Sequence, residues 1–184
     1  MRRLIVFNQV SLDGYIADAK GDMSWAHKDD PEWTTFASEN AGSDGMLLFG
    51  RTTYDLMVQY WPTPPAAQQN PVVAERMNDG SKVVFSRTMS TASWNNTKLV
   101  KADLAGEVRK LKQGSQPMTI LGSGSIVSQL TDAGLIDDYV VVVVPVVLGD
   151  GKRIFGGVER QRPLTLTKTR SFKNGKVVLS YEAG

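Results

Sequence analysis

Apolar and polar positions along the chain fall into two rhythms that alternate through most of its length. Residues 4–10, "LIVFNQV", are a mostly apolar run with Val and Ile, closed by the polar turn "SLDGY", and predict a buried central strand. "DDPEWTTFASEN" reads as a helix, with Asp30 as N-cap, Pro31 in the first position, Glu32 in the first turn, and Trp33 and Phe36 on one side. "GMLLFG" predicts the second strand, and "RTTYDLMVQYW" a helix whose Tyr54, Met57 and Val58 share a face. "TPPAAQQNP" reads as a loop, residues 72–77 as a short helix, "KVVFS" as the third strand and residues 98–100 as a fourth. "ADLAGEVRKLKQG" predicts an amphipathic helix, "PMTILG" the next strand and "SIVSQLTDAG" the next helix.

Beyond that helix the rhythm changes. Residues 139–148 are nearly continuous Val interrupted by Pro145, and "LTLTKTRSF" and "KVVLSYE" flank Lys173, Asn174 and Gly175, a hairpin signal. Strand–helix alternation followed by long hairpin strands predicts an α/β fold with a mostly parallel mixed sheet, antiparallel at its C-terminal end. No internal repeat or shift of composition divides the chain, so residues 1–184 are expected to form a single domain.

Composition removes several classes of function. With no Cys and one His, the chain can build neither a disulfide framework nor a thiolate or multi-histidine metal site, so no metal is expected. The lack of Cys suits a reducing cytoplasm. The apolar run before Asn8 is too short for a signal peptide, and no stretch reaches membrane-spanning length, so the expected location is cytoplasmic with no membrane partner. A formal charge of +2 is too small to argue for nucleic acid, although isolated basic residues could serve an anionic small molecule.

Candidate chemistry gathers at strand ends. "LLFGRTTY" and "TILGSGSIV" are strand-to-helix turns with little side chain, and in open α/β sheets ligands sit beyond the carboxyl ends of strands. Gly50 opens the first helix, Arg51 adds a fixed charge, and Thr52 and Thr53 offer hydroxyls and N–H groups suited to a phosphate. "VVFSRT" places Ser86 and Arg87 at a third strand end. The bareness of Gly122-Ser123-Gly124-Ser125 has two readings, a sharp steric bend or a backbone approach to a diphosphate. The run lacks the third glycine of the dinucleotide fingerprint G-x-G-x-x-G, and "LGDGKR" is no P-loop.

Together "SLDGYIA", "LLFGRTTY", "VVFSRT", "ILGSGSIV" and "VPVVLGDGKRIF", in that order, resemble the dihydrofolate reductase superfamily. Within it they are most similar to the reductase domain of riboflavin biosynthesis and its stand-alone relatives. The resemblance implies a three-layer dihydrofolate reductase-like fold, helices on both faces, and a homodimer. It implies an NADPH site in which Gly50, Arg51, Thr52 and Thr53 meet the phosphates. Ser86 and Arg87 would lie near the adenosine 2′-phosphate, and Gly122, Ser123, Gly124, Ser125 and Ile126 along the diphosphate and nicotinamide half. Ser123 departs from the Gly-Gly pair common in dihydrofolate reductases, and Gly124 is expected to face the diphosphate directly. On the substrate side, Trp25 and Asp30 keep the spacing of the family's Trp and acid, while Ser24 replaces the proline that usually follows Met.

Asp30 is therefore a helix cap, a catalytic acid or both. Asp13 lies in the loop matching the active-site entrance, or is simply part of a type I′ turn with Gly14. His27 is a lone proton carrier or a solvated loop residue. Trp25, Trp33 and Phe36 stack on a flat heterocycle or belong to the core. The expected function is an NADPH-dependent reductase moving a hydride to a small pterin- or pyrimidine-like heterocycle; the alternative is a non-catalytic nucleotide-binding or structural module of the same fold. A bifunctional enzyme with a deaminase domain is not expected from the length.

Overall fold

The computed structural model describes residues 2–27, 30–41 and 45–184. The chain forms β1 (Leu4–Ser11), β2 (Tyr15–Ala17), a 3-10 turn (Ser24–Ala26), α1 (Pro31–Ala41), β3 (Met46–Gly50), α2 (Arg51–Tyr60), α3 (Pro64–Gln69) and α4 (Pro71–Asp79). It continues as β4 (Lys82–Phe85), β5 (Thr97–Val100), α5 (Leu104–Leu111), β6 (Met118–Leu121), α6 (Gly124–Asp132), β7 (Asp138–Val144), β8 (Lys152–Arg153), β9 (Leu164–Ser171) and β10 (Val177–Ala183). Eight strands make one sheet in the order β5-β4-β3-β6-β1-β7-β10-β9. It is parallel from β5 to β7 and antiparallel through β10 and β9, and β1 lies between β6 and β7.

Alternation along the strands sends side chains to two faces, each covered by helices. Leu4, Val6 and Val10 of β1, Leu48 of β3 and Ile120 of β6 pack with Val108 of α5 and Ile126, Val127 and Leu130 of α6. On the other face, Leu47, Phe49 and Val84 pack with Tyr54 of α2 and Met77 of α4. Farther along that face, Phe7, Val140, Val142, Phe172 and Val178 meet Trp33 and Phe36 of α1. The expected three-layer α/β architecture is what forms.

Three local expectations are corrected. "TPPAAQQ" is no loop: Pro64 and Pro65 occupy the first helical turn, where the missing N–H costs nothing, and Ala66 is buried, giving α3. The Val-rich strand stops at Val144, because Pro145 cannot donate to the ladder. The turn after β1 is not type I′, since Gly14 is left-handed (φ 87°) but Leu12 and Asp13 are not; Gly14 N–H closes it on the Ser11 carbonyl at 2.9 Å. The small antiparallel pair of β2 with β8 went unread, because a two-residue strand carries no periodicity. Asp29, which opens the predicted first helix segment, lies outside the described residues; Asp30 is the cap.

Candidate functional site

Adjacent parallel strands β4, β3, β6 and β1 bring their carboxyl ends together, and with them three of the turns singled out above. The α2 and α6 turns are stitched by one side chain. Ser123 Oγ accepts the Gly50 N–H at 2.6 Å and donates to Thr53 Oγ1 at 2.9 Å. Ser123 itself is left-handed (φ 57°), a conformation that costs a residue with a Cβ, so the fold pays strain for this contact. The result is two helix N-termini side by side. The N–H groups of Arg51 and Thr52 in α2 and of Gly124 and Ser125 in α6 precede the first helical acceptors, an arrangement whose paired positive ends can hold an anion.

Each glycine of these turns has a close neighbour inside the protein. A Cβ on Gly50 would lie 2.8 Å from Ser123 Oγ, and one on Gly122 2.5 Å from Thr53 Oγ1. One on Gly124 would lie 2.7 Å from the Arg153 carbonyl oxygen. The expectation that Gly124 faces a diphosphate is therefore corrected: its Cα faces β8, and a side chain there would collide with backbone. The bare turn first serves packing between turns, and that packing exposes the helix ends.

Arg51 is exposed and reaches the third turn, donating to Thr88 Oγ1 at 2.8 Å and lying 3.5 Å from Asp55. Ser86 shapes that turn, its Oγ accepting the N–H groups of Met89 (3.1 Å) and Thr88 (3.3 Å), and leaves Arg87 exposed. Thr52 and Ser125 are exposed in the first turns of their helices, and Ile126 is core.

Two further connections were missed by reading the sequence. Asn8, buried in β1, takes the Gly122 N–H on its Oδ1 at 2.8 Å and reaches back to the Gly122 carbonyl at 3.4 Å, fixing the start of the glycine turn. Its neighbour Gln9 points to the opposite face, where its Oε1 accepts from Lys176 Nζ at 2.9 Å. The signal was visible as two amides interrupting an apolar central strand.

The candidate acids have distinct surroundings. Asp13 Oδ2 and Oδ1 accept the N–H groups of Gly149 (2.7 Å) and Leu148 (3.1 Å), pinning the loop after β7 to the loop after β1. The Ser11 hydroxyl and these backbone donors hold its pKa down at about 2. Asp30 caps α1, its Oδ1 accepting the Trp33 N–H at 2.8 Å. Trp25 sits in the 3-10 turn with its indole N–H on the Asp22 carbonyl. Phe36 packs with Trp33 and Phe172, with ring centroids 5.4 and 5.3 Å away. His27 is exposed, and partial desolvation, then the Lys176 ammonium, lower its pKa. Trp25, Asp30 and Phe36 thus belong to the 3-10 turn and α1, whereas Asp13 is committed to the β2–β8 side. A cavity of about 520 Å3 beside Lys82 and Trp94 lies at the far ends of the strands, away from all of these.

Comparison with known proteins finds the same fold. A Shewanella sp. PV-4 protein assigned to riboflavin biosynthesis superposes with a TM-score of 0.77 at 25% identity, covering 99% of each chain. A Thermotoga maritima diaminohydroxyphosphoribosylaminopyrimidine deaminase/5-amino-6-(5-phosphoribosylamino)uracil reductase gives 0.69 at 14% identity, over all of this chain and 57% of that one. Enterococcus faecalis dihydrofolate reductase, complexed with NADP(H), gives 0.64 at 14% identity over 99% and 96% of the two chains. The family model of the RibD C-terminal domain matches residues 2–179, nearly the whole chain, and this chain belongs to the RibD C-terminal domain family.

Proposed function

We propose that this chain is an NADPH-dependent reductase that delivers a hydride to a small pterin- or pyrimidine-like heterocycle. The observation that carries the reading is the pair of helix N-termini joined through Ser123, with Arg51 and Arg87 beside them: a diphosphate finds backbone donors and a 2′-phosphate finds a cation. These residues fit the cofactor. Arg51, Thr52, Thr53, Ser123, Gly124 and Ser125 hold its phosphates and nicotinamide half, Gly124 through its backbone; Gly50, Gly122 and Ile126, whose N–H groups are taken within the protein, shape the turns, and Ser86 and Arg87 hold its adenosine end. Bound NADPH supplies the hydride. The family and the reductases among the neighbours support the same class.

The protein's own contribution is positioning and a proton. Trp25 and the Trp33–Phe36 pair supply an apolar wall on the α1 side. Asp30 is the proton donor in this reading, because among the described residues its cap bond occupies one oxygen and leaves the other. Asp13 is not: both of its oxygens are taken by the N–H groups of Gly149 and Leu148, and it serves as a loop staple. Its full engagement favours the second reading, a nucleotide-binding module without turnover.

NADPH titration followed by NADPH oxidation with a panel of reducible pterins and pyrimidines decides between the two. Binding with turnover supports the reductase; binding with none supports the module; no binding overturns both. We also place the protein in the cytoplasm as a homodimer. Edge strand β9 is exposed on both faces, including Leu164 and Leu166, which supports a covering partner. Among the described residues no helix is long and apolar enough to cross a membrane.

A further inference from the structure

The hairpin turn between β9 and β10 delivers a lysine into the substrate half. Gly175 is left-handed (φ 86°) and its N–H closes on the Phe172 carbonyl, which turns Lys176 inward until it is 1% exposed. Its ammonium donates to Gln9 Oε1 at 2.9 Å and to the Ala26 carbonyl at 2.9 Å, and lies 4.1 Å from the Trp33 ring centroid. It therefore touches β1, the 3-10 turn carrying Trp25, and the helix capped by Asp30.

An ammonium has donors only, so the group it meets on Gln9 must be the carbonyl oxygen. That fixes the carboxamide. Gln9 is partly exposed, among the described residues its NH2 group has no protein acceptor, and it is not among the buried polar atoms left without a partner. Gln9 shares its sheet face with Phe7, which packs on the Trp33–Phe36 cluster, while Asn8 faces the other way and holds the cofactor turn. We infer that Gln9 is a specificity-determining residue whose NH2 group, oriented by Lys176, donates to a ring carbonyl of the substrate. This rests on the reductase reading and narrows it: the favoured heterocycle presents an acceptor, not an exocyclic amine, at this edge. Lys176 is a positioning residue acting through Gln9.

Two pyrimidines of the same size test it. 5,6-Diaminouracil carries ring carbonyls where 2,4,5,6-tetraaminopyrimidine carries amines. Binding of each is measured by calorimetry to the full chain saturated with NADP+, which prevents turnover. The wild type is expected to prefer the diaminouracil by about tenfold, the value of one neutral hydrogen bond. Gln9→Glu keeps an acceptor for Lys176, and so the fold, but presents only acceptors outward, so the order should reverse. Gln9→Leu should bind both alike. Lys176→Met releases the amide to turn either way, so the preference should shrink toward unity, whereas a merely structural role would lower both affinities equally. A wild type that prefers the tetraamine, a Gln9→Glu variant that keeps the wild-type order, or failure of both pyrimidines to bind at millimolar concentration overturns the assignment. Absence of NADPH binding in a separate titration instead overturns the reductase reading.

Discussion

Replacing Ser123 tests the stitch between the two turns, because Ala and Gly remove the same hydroxyl with different backbone consequences. Ser123→Ala deletes two hydrogen bonds, from the Gly50 N–H and to Thr53 Oγ1, both half-buried. At about 1 kcal/mol each, the loss is about 2 kcal/mol, which for a domain of this size lowers Tm by about 4–8 °C. Ala inherits the left-handed φ of 57° and its strain. Gly does not, and relief of about 1 kcal/mol should leave Ser123→Gly only about 1 kcal/mol below the wild type, about 2–4 °C. The Gly variant is thus expected to be the more stable, in line with the preference for Gly over Ala at a helix N-cap. Both should weaken NADPH by about tenfold, since the α2 and α6 ends lose their common anchor. Differential scanning calorimetry with an NADPH titration reads all three quantities. An Ala variant as stable as the wild type, or a Gly variant less stable than the Ala variant, refutes the stitch as described.

Arg87→Ala should weaken NADPH by roughly ten- to a hundredfold and leave NADH almost untouched, as removal of a charge-assisted bond of about 1.5–3 kcal/mol to the 2′-phosphate requires; equal losses for both cofactors would take Arg87 out of that role. Asp30→Asn can still cap α1 but cannot supply a proton, so turnover should fall about a hundredfold with Tm and NADPH affinity unchanged; full activity in that variant makes Asp30 a cap alone. The folded pKa of Asp13, about 2, lies below its ordinary value of 3.8, so its contribution to stability is complete above about pH 4 and is lost as pH falls through 2. Acid titration of Tm should show a smaller decline over that interval in Asp13→Asn than in the wild type, and identical slopes would contradict the staple.

The sheet and its helices were legible because each depends on local rhythm: the run at residues 4–10, the Pro31 helix start and the Asn-Gly hairpin all formed where the pattern put them. The strand-end turns were legible too, through small residues that only a strand-to-helix junction needs. What escaped was pairing between distant residues. That Ser123 reaches Gly50, that Gly124 abuts Arg153, and that Asp13 binds the loop at Gly149 depend on which turns become neighbours, a property of sheet order rather than of either segment. The buried lysines were hidden for another reason. Lys82 reads as the polar edge of a strand, yet its ammonium donates to the carbonyls of Met77, Asn78 and Gly80 at the end of α4, and Lys176 is likewise buried by its partners.

The place of β1 in the sheet carries a consequence for how the chain folds. β1 precedes every other strand in sequence, yet its partners are β6 and β7, and the pairing of Leu4 with Met118 and of Val6 with Tyr139 spans well over a hundred residues. A segment made early must therefore wait, with its apolar side chains unpaired, until the chain beyond Val144 has emerged. Contacts so distant in sequence slow the search for the native topology and lengthen the exposure of a sticky strand. Closing the centre of the sheet is therefore expected to come late in folding, after β3, β4 and β5, whose strands are near neighbours in sequence, have paired.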